Sequence, residues 1–389
     1  MSTIRVNAIQ NTNTTDGGIS IDGSGHVSIE GEALPSAGPL SNRNVIINGA
    51  MQVSQRGTSF DVDNEDEFTL DRFTSQYSAG TFSSTFTQEE DGPQGFKNSL
   101  KVACDTAYTP VSSDNFGIEY RAEGQDVQHF GFGAAGAKDL TLSFYVKGTA
   151  KQYSCAVQFL DSSGNQHIQT RSFSVTSSWQ RVALTFEGNG EALSTAIKND
   201  NTVGFLIQWW LAAGPDDIFA ADTTWVDNPS PTFHAVTGQE NFFDSTSNEF
   251  FITGVQLEVG SVATPFEHRS FGDELARCQR YYYRISHESN NFSFGSGFNQ
   301  TTSHTRTNVF FPVTMRSSPS ALEQSGTAGD YAILNRTTSD TCSVAPIYTA
   351  ATKNVAEVQL QTSTGITAGD GSLGSFTNTD AFLAWSAEL

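Results

Sequence analysis

Three tryptophans, Trp209, Trp210 and Trp225, crowd into one short region of a 389-residue chain. Further on, "SHESNNFSFGSGFNQTTSHTR" spaces Phe292, Phe294 and Phe298 among serine, asparagine and glycine. An aromatic ring presents a flat apolar face that suits the C–H face of a pyranose. The chemistry within reach of these residues is therefore non-covalent recognition of sugar. Covalent chemistry is harder to find. The chain has no GxSxG elbow, no HExxH pair and no P-loop. Its histidines, at 26, 129, 167, 234, 268, 287 and 304, are dispersed and show no metal-binding spacing. The acidic run "DNEDE" at 63–67 could gather a cation, but a solvated loop is the plainer reading. Glycoside cleavage needs two carboxylates about 5–10 Å apart, which sequence alone does not reveal. The expectation is a protein that binds, with no catalytic residues, no cofactor and no metal.

The rings must be positioned by strands. "DLTLSFYVKG" alternates Leu140, Leu142, Phe144 and Val146 with polar or amphipathic neighbours, and "SCAVQFLDSSGNQ" does the same with Cys155, Val157 and Phe159. "WQRVALTFEG" alternates Val182, Leu184 and Phe186, and "VGFLIQWWLA" puts Phe205, Ile207, Trp209 and Leu211 on one face. "ITGVQLEVG" collects Val255, Leu257 and Val259, with Gln256 and Glu258 opposite. Period-two alternation broken by turn clusters predicts an antiparallel sandwich, and no strand–helix alternation points to a parallel sheet. Trp209 then belongs to the core. Trp210 must point to the second face, where it either covers another strand or subunit, the commoner case, or meets a ligand. Trp225, in "DTTWVDNPSP", falls in a loop. Loops at a sandwich tip are where recognition usually sits, which brings in Phe292 and Phe298. The candidate ligand residues are thus Trp210, Trp225, Phe292 and Phe298.

The fold class is all-β, and four segments are expected. Residues 1–42 are polar and Gly-rich, with Ile19, Ile21, Val27 and Ile29 in two tiny strands around "DGSG". They are too poor in apolar residues for a core, so they are either disordered or ordered on a partner or on copies of themselves. Residues 43–270 form the main sandwich, and 286–389 a second, smaller one. Between them "SFGDELARCQRYYYRI" predicts a helix over 271–285. Asp273 and Glu274 lie in its first turn, with arginines later, an order that suits the helix dipole. Leu275, Cys278, Tyr282 and Ile285 recur at spacings of three, four and three, a narrow stripe. The stripe can pack on the chain's own sandwich or form the seam of a short multi-chain bundle. The tyrosines read as packing residues.

A formal net charge of −21 repels phosphate backbones and argues against nucleic-acid binding. No apolar run reaches membrane-spanning length, so no membrane insertion is expected. The N-terminus lacks an apolar signal core. Cys104, Cys155, Cys278 and Cys342 form neither a CxxC pair nor a disulfide framework. They read as small buried hydrophobes in a protein made in a reducing cytosol.

"NRNVIINGAMQVSQRGTSF" followed by "TLDRF" resembles the opening of a module that recurs in tail-fibre proteins of tailed bacteriophages and prophages. "FFITGVQLEVGSVATPFEHRSFGDELARCQRYYYRI" resembles its closing stretch, and the pair brackets about residues 43–285. "STIRVNAIQNTNTTDGGISIDGSGHV" is similar to the N-terminal segment of fibre-type virion proteins. "FPVTMRSSPSA" and the terminal "SAEL" are similar to the tip domain that follows the tyrosine-rich helix. The resemblance implies a carbohydrate-binding-module-like jelly roll in a homotrimeric virion appendage, synthesised in the host cytoplasm. It implies an N-terminus on other virion proteins and a tip facing a host-surface glycan. A three-fold axis would then run along Leu275, Cys278, Tyr282 and Ile285. The motifs bring no catalytic residues. The chain lacks the coiled-coil or repeat shaft of long fibres, which leaves a tail or a capsid mounting open. It also lacks the long β-helix repeat common in tailspike depolymerases.

Overall fold

The protein is described by a computed structural model that covers residues 8–10, 18–29, 31–63, 66–78, 81–189, 196–219, 224–227, 235–287, 292–336, 338–363 and 365–389. The chain divides into two units, Met1–Ser270 and Phe271–Glu388. The first begins with a small antiparallel meander of β1 (Ala8–Gln10), β2 (Gly18–Ile21), β3 (Val27–Ile29) and β4 (Glu32–Ala33). Its register sets Ile9 opposite Ile19, Ile19 opposite Ile29, and Ile21 opposite Val27. All four isoleucines are exposed. Ser20 and Ser28, on the alternate parity, hydrogen-bond across the other face at 2.6 Å.

The rest of the first unit is the jelly roll. Its strands are β5 (Ser59–Val62), β6 (Phe73–Ser78), β7 (Ser84–Glu89), β8 (Ser99–Cys104), β9 (Asn115–Glu123), β10 (Leu140–Gly148), β11 (Lys151–Leu160), β12 (Gln166–Val175), β13 (Gln180–Phe186) and β14 (Val203–Ala213). Short pieces β15 (Ile218–Phe219), β16 (Val226–Asp227) and β17 (Ala235–Val236) follow, and β18 (Glu249–Val259) closes the fold. Two six-stranded sheets result, ordered β13-β10-β18-β8-β7-β5 and β16-β12-β11-β14-β9-β6. Their facing sides hold the alternating residues of the sequence: Leu142 and Phe144 from β10, Val157 and Phe159 from β11, Phe205, Ile207 and Trp209 from β14, and Val255 and Leu257 from β18. Each such side chain, removed from water, contributes roughly 1.5–3 kcal/mol before entropy is set against it. Cys104 and Cys155 join this core, and all four cysteines are buried thiols outside any disulfide.

The opening and closing stretches of the jelly roll are fastened to each other. Asn44 Oδ1 accepts the N–H groups of Ile46 (3.0 Å) and Leu257 (3.1 Å), and its Nδ2 donates to Val255 O (3.1 Å). Glu267 Oε2 accepts the Asn44 N–H at 3.0 Å. Arg43 donates to Thr264 Oγ1 (2.8 Å) and Pro265 O (2.6 Å), and Arg269 donates to Ile46 O at 2.9 Å. Gln256 and Glu258, opposite the core face of β18, are also buried. Glu258 accepts from Thr264 Oγ1 at 2.7 Å, and Gln256 Oε1 from the Glu267 N–H at 2.8 Å. Each of these buried side chains finds at least one partner, as the cost of burying an unpaired polar group requires. The two most recognisable stretches of the sequence therefore act as a clasp.

The second unit opens with α1 (Phe271–Gln279). Here the sequence expectation is corrected: the helix stops at Gln279, and "YYRIS" forms β19 (Tyr282–Ser286). The remaining strands are β20 (Ser293–Asn299), β21 (His304–Phe310), β22 (Glu323–Gln324), β23 (Tyr331–Leu334), β24 (Ser339–Thr341), β25 (Ile347–Ala351), β26 (Val355–Gln361), β27 (Gly371–Phe376) and β28 (Phe382–Ser386). β19 pairs antiparallel with β28, Tyr283 opposite Trp385. Aromatic and β-branched side chains favour a pleated, half-buried surface over a helix once a partner strand is present. A three-stranded sheet, β19-β28-β22, and a seven-stranded sheet, β24-β23-β27-β20-β21-β26-β25, make the smaller sandwich. Its core includes Val309, Ile333, Val358, Leu360, Phe376 and Trp385.

The proposed seam is corrected with the helix. Cys278 and Tyr282 are buried within a single chain and have no surface to give to a three-fold axis. Tyr282 and Ile285 stand on a strand rather than on the helix, and the Tyr282 hydroxyl donates to Glu323 Oε2 at 2.8 Å. Only Leu275 and Ile285 keep partial exposure.

Candidate functional site

The four candidate rings meet different fates. Trp210 does point to the second face of its sheet, but it is fully buried. β14 pairs Trp210 with Ser154 on one side and Gly117 on the other. A Cβ at Gly117 would lie 3.1 Å from the indole Cε3 and 2.5 Å from Trp209 O, so the ring lies across a glycine that leaves room for it. Ala156, Ile168 and Val226 pack around it. The returning chain covers the same face: the Val236 N–H donates to Ser154 Oγ at 3.0 Å, and Gln239 Nε2 to Trp210 O at 3.0 Å. With no face open to solvent, Trp210 is a packing residue, which corrects its candidacy as a sugar platform.

The next row across this face runs Thr170, Ala156, Gln208, Glu119 and Thr74. Apart from Ala156 it is polar yet buried. Gln208 Nε2 donates to Glu119 Oε2 at 2.6 Å, and Arg121 pairs with both Glu119 and Asp66. Burial pushes the Glu119 carboxyl up, against the opposing pull of Arg121 and Gln208. Asp66 is committed to this network and Glu67 accepts the Asp63 N–H at 3.2 Å. Asn64 and Glu65 of the same acidic run lie outside the described residues. Among the described residues, no group of three or more His, Cys, Asp or Glu is placed to hold a metal ion.

Trp225 is half-buried. Its indole N–H donates to Glu187 O at 2.6 Å, and its ring meets Phe132 and Phe159 edge-on at 5.4 and 5.3 Å. Residues 222–223 and 228–231 of its loop lie outside the described residues. Phe292 stacks on Phe376 at 6.3 Å and borders the second core. Both rings are engaged in packing.

Phe298 is different. It is 53% exposed and projects from the outer face of the seven-stranded sheet. Its cross-strand neighbours are Arg306 on β21 and Gly371 on β27. The same row continues through Gln359 and Ile347. The next row sets Leu373, Ser296, Asn308 and Glu357 side by side. Arg306 is held in place: Nη1 donates to Glu357 Oε1 at 2.9 Å and Nε to Gln300 Oε1 at 3.2 Å. Its Nη2 has no partner among the described residues and remains a donor to solvent. Leu373 and Phe310 are also exposed. The face thus offers two large rings, Phe298 and Phe310, a fixed guanidinium, and amide and carboxylate groups at strand spacing. Such a set can stack a sugar ring and hydrogen-bond its hydroxyls.

Phe298 was legible in the sequence, but Arg306, Gln359 and Glu357 were missed. The first of them could have been found. Taking "FNQTTSHTR" as a hairpin closed by Gln300–His304 puts Phe298 and Arg306 opposite each other. The two on β26 depend on a strand about fifty residues further on, and no local signal marks them.

No protein-family model matches the chain, and no curated protein sequence matches it either. Solved structures align with a little over half of it. One is the family 11 carbohydrate-binding module of a cellulosomal cellulase of Clostridium thermocellum, at 14% identity and a TM-score of 0.28 over 54% of this chain and 98% of that one. Another is the CBM22-1 xylan-binding domain from Paenibacillus barcinonensis Xyn10C, at 12% identity and a TM-score of 0.26 over 53% and 94%. A third is the enzymatically active domain of bacteriophage CBA120 tailspike protein 4, at 13% identity and a TM-score of 0.30 over 56% of this chain and 21% of that one.

Proposed function

We propose that this chain is a structural protein of a tailed-phage virion appendage, working as a homotrimer and attaching to host-surface glycan without cleaving it. The observation that carries the glycan reading is the exposed Phe298 ring in register with a preorganised Arg306. An aromatic face supplies apolar contact, and the guanidinium with its amide and carboxylate neighbours supplies directional bonds to hydroxyls. The resemblance of residues 43–60 and 250–285 to the tail-fibre module supports the virion assignment. The exposed row of Ile9, Ile19 and Ile29 supports an N-terminal segment made to be covered by other virion proteins. Single sugar contacts are weak, and three linked copies would raise avidity without any new contact.

The test is a glycan array probed with the full-length chain and with Phe298→Ala and Arg306→Ala. Selective binding by the parent, lost in both variants at unchanged melting temperature, is the expected result. Equal binding by all three proteins would remove the Phe298 face from the proposal. A fall in polysaccharide size on incubation would replace attachment with depolymerisation. Virions labelled with antibody to residues 286–389 should carry the label at the tail; label across the head would move the protein to a capsid fibre.

A further inference from the structure

The strongest unassigned feature lies in the first unit, where Asp22 and His26 of one turn meet Ser261, 235 residues beyond His26, in a hydrogen-bonded series. Asp22 closes the β2–β3 turn. Its Oδ1 accepts the N–H groups of Ser24 and His26, both at 2.9 Å, and its own N–H donates to His26 O at 3.0 Å. One tight turn therefore fixes both the carboxylate and the imidazole. Asp22 Oδ2 lies 3.0 Å from His26 Nδ1. On the far side of the ring, His26 Nε2 lies 3.2 Å from Ser261 Oγ, which follows the last strand of the jelly roll. Backbone and side-chain bonds from His26, with a further one from Ser24, hold the Asp22 carboxyl below its usual range, burial opposing them.

The series opens onto a pocket of about 630 Å³ whose lining includes His26, Leu34, Pro35, Ala37, Lys138 and Ser261. Gly260 shapes its floor. A Cβ there would lie 2.5 Å from Ser36 Oγ and 3.1 Å from the Ala37 nitrogen, and φ is +122°. Glycine therefore leaves the Ala37 N–H uncovered, and that N–H meets no acceptor among the described residues. Ser36 Oγ accepts the Ser261 N–H at 2.9 Å and steadies the serine. Lys138 makes no ion pair among the described residues, a cationic spot on a chain of net charge −21.

We propose that Asp22, His26 and Ser261 form a hydrolytic site for short-chain carboxylic esters, such as O-acyl groups on acidic saccharides. Asp22 accepts the Nδ1–H and so sets the tautomer that leaves Nε2 free to act as base. As Ser261 Oγ bonds to the ester carbonyl carbon, its proton passes to His26 Nε2. The developing oxyanion faces the pocket, where the Ala37 N–H can donate. The C–O bond to the alcohol then breaks, and the alcohol oxygen takes the proton from His26. Water cleaves the acyl-serine, giving its proton through His26 back to Ser261 Oγ. The products are an alcohol and a carboxylic acid, and water is the only co-reactant. Leu34 and Pro35 offer an apolar wall for a short acyl chain, and Lys138 suits an acidic alcohol. This goes beyond the attachment reading: the Phe298 face remains a binding surface, and the chemistry lies in the other unit.

The test uses the full-length chain with 4-nitrophenyl acetate. Ser261→Ala and His26→Gln should each lower kcat/KM by at least ~10-fold, with unchanged circular dichroism. A fluorophosphonate probe should label the parent once per chain, at Ser261 by peptide mapping. Asp22 is a positioning residue, so Asp22→Asn should lower kcat while KM stays within about two-fold. Parent turnover no faster than that of Ser261→Ala, or labelling at another residue, overturns the proposal. Esterase turnover is read on 4-nitrophenyl acetate and attachment on the glycan array, so failure of the glycan reading and failure of this one are separable.

Discussion

Replacing Asp217 with asparagine tests how burial acts on one carboxylate of the jelly roll. Asp217 ends the short turn after β14 and is fully buried. Asn115 Nδ2 donates to its Oδ2 at 2.7 Å, while Oδ1 has no partner among the described residues. Burial raises its pKa from 3.8 to about 6; the Asn115 bond opposes the rise, and Asp216 and Asp114 add to it. The folded state then binds the proton more tightly than the unfolded one. Stability falls as pH rises from near 4 to near 6, and the loss is complete above that window. Two pKa units correspond to roughly 3 kcal/mol at pH 7, shrinking to about 0.5 kcal/mol at pH 4. Asparagine keeps an acceptor for Asn115 and cannot ionise. Asp217→Asn should therefore be more stable than the parent by about 2–3 kcal/mol at pH 7 and nearly equal to it at pH 4. Urea unfolding followed by tryptophan fluorescence measures this, since Trp179, Trp209, Trp210 and Trp225 all lie in the first unit. Taking the difference between two proteins cancels the other titrating groups. A gap that stays constant from pH 4 to 7, or a less stable variant at pH 7, would refute the reasoning.

Phe298→Ala should weaken glycan binding by about 1–2 kcal/mol per site, as loss of a stacking ring implies, with little change in thermal stability because the ring is half exposed. Trp210→Ala should do the reverse: a cost of about 3–5 kcal/mol in unfolding, with glycan affinity of the folded protein unchanged in titration calorimetry. Gly117→Leu should be destabilised by about 2–3 kcal/mol, since its side chain would collide with the Trp209 carbonyl and the Trp210 ring. Burial pushes the Cys104 thiol up to about 11 and the Cys342 thiol to about 12. At pH 8 only about one Cys104 in a thousand is then a thiolate, so a disulfide reagent should react with the folded chain far more slowly than with the urea-unfolded one. Fast stoichiometric labelling of the native protein would contradict that burial.

Several features of this protein were determined by its sequence alone. The cores of β10, β11, β14 and β18 follow the alternation of their residues, because successive side chains on a strand point to opposite faces. The same rule sends Trp209 inward and Trp210 outward. Whether an outward residue meets water is a different matter, and there the tertiary structure decided. Trp210 is covered because chain some twenty-five residues later returns over Ser154 and Gln239 reaches its carbonyl. The helix over 271–285 was half legible. Leu275 to Ile285 fits a helical stripe, but "YYRIS" also fits a strand, and pairing with Phe382–Ser386 a hundred residues away settled the choice. Phe298 could be picked out by composition and Arg306 by hairpin register, but Gln359 and Glu357, which complete the platform, arrive from β26. Asp22, His26 and Ser261 look unremarkable in the sequence, and only the docking of the N-terminal turn against the end of β18 brings them together. Local pattern sets the direction of each side chain. Burial and convergence depend on which distant strands pair, and no short window of sequence contains that.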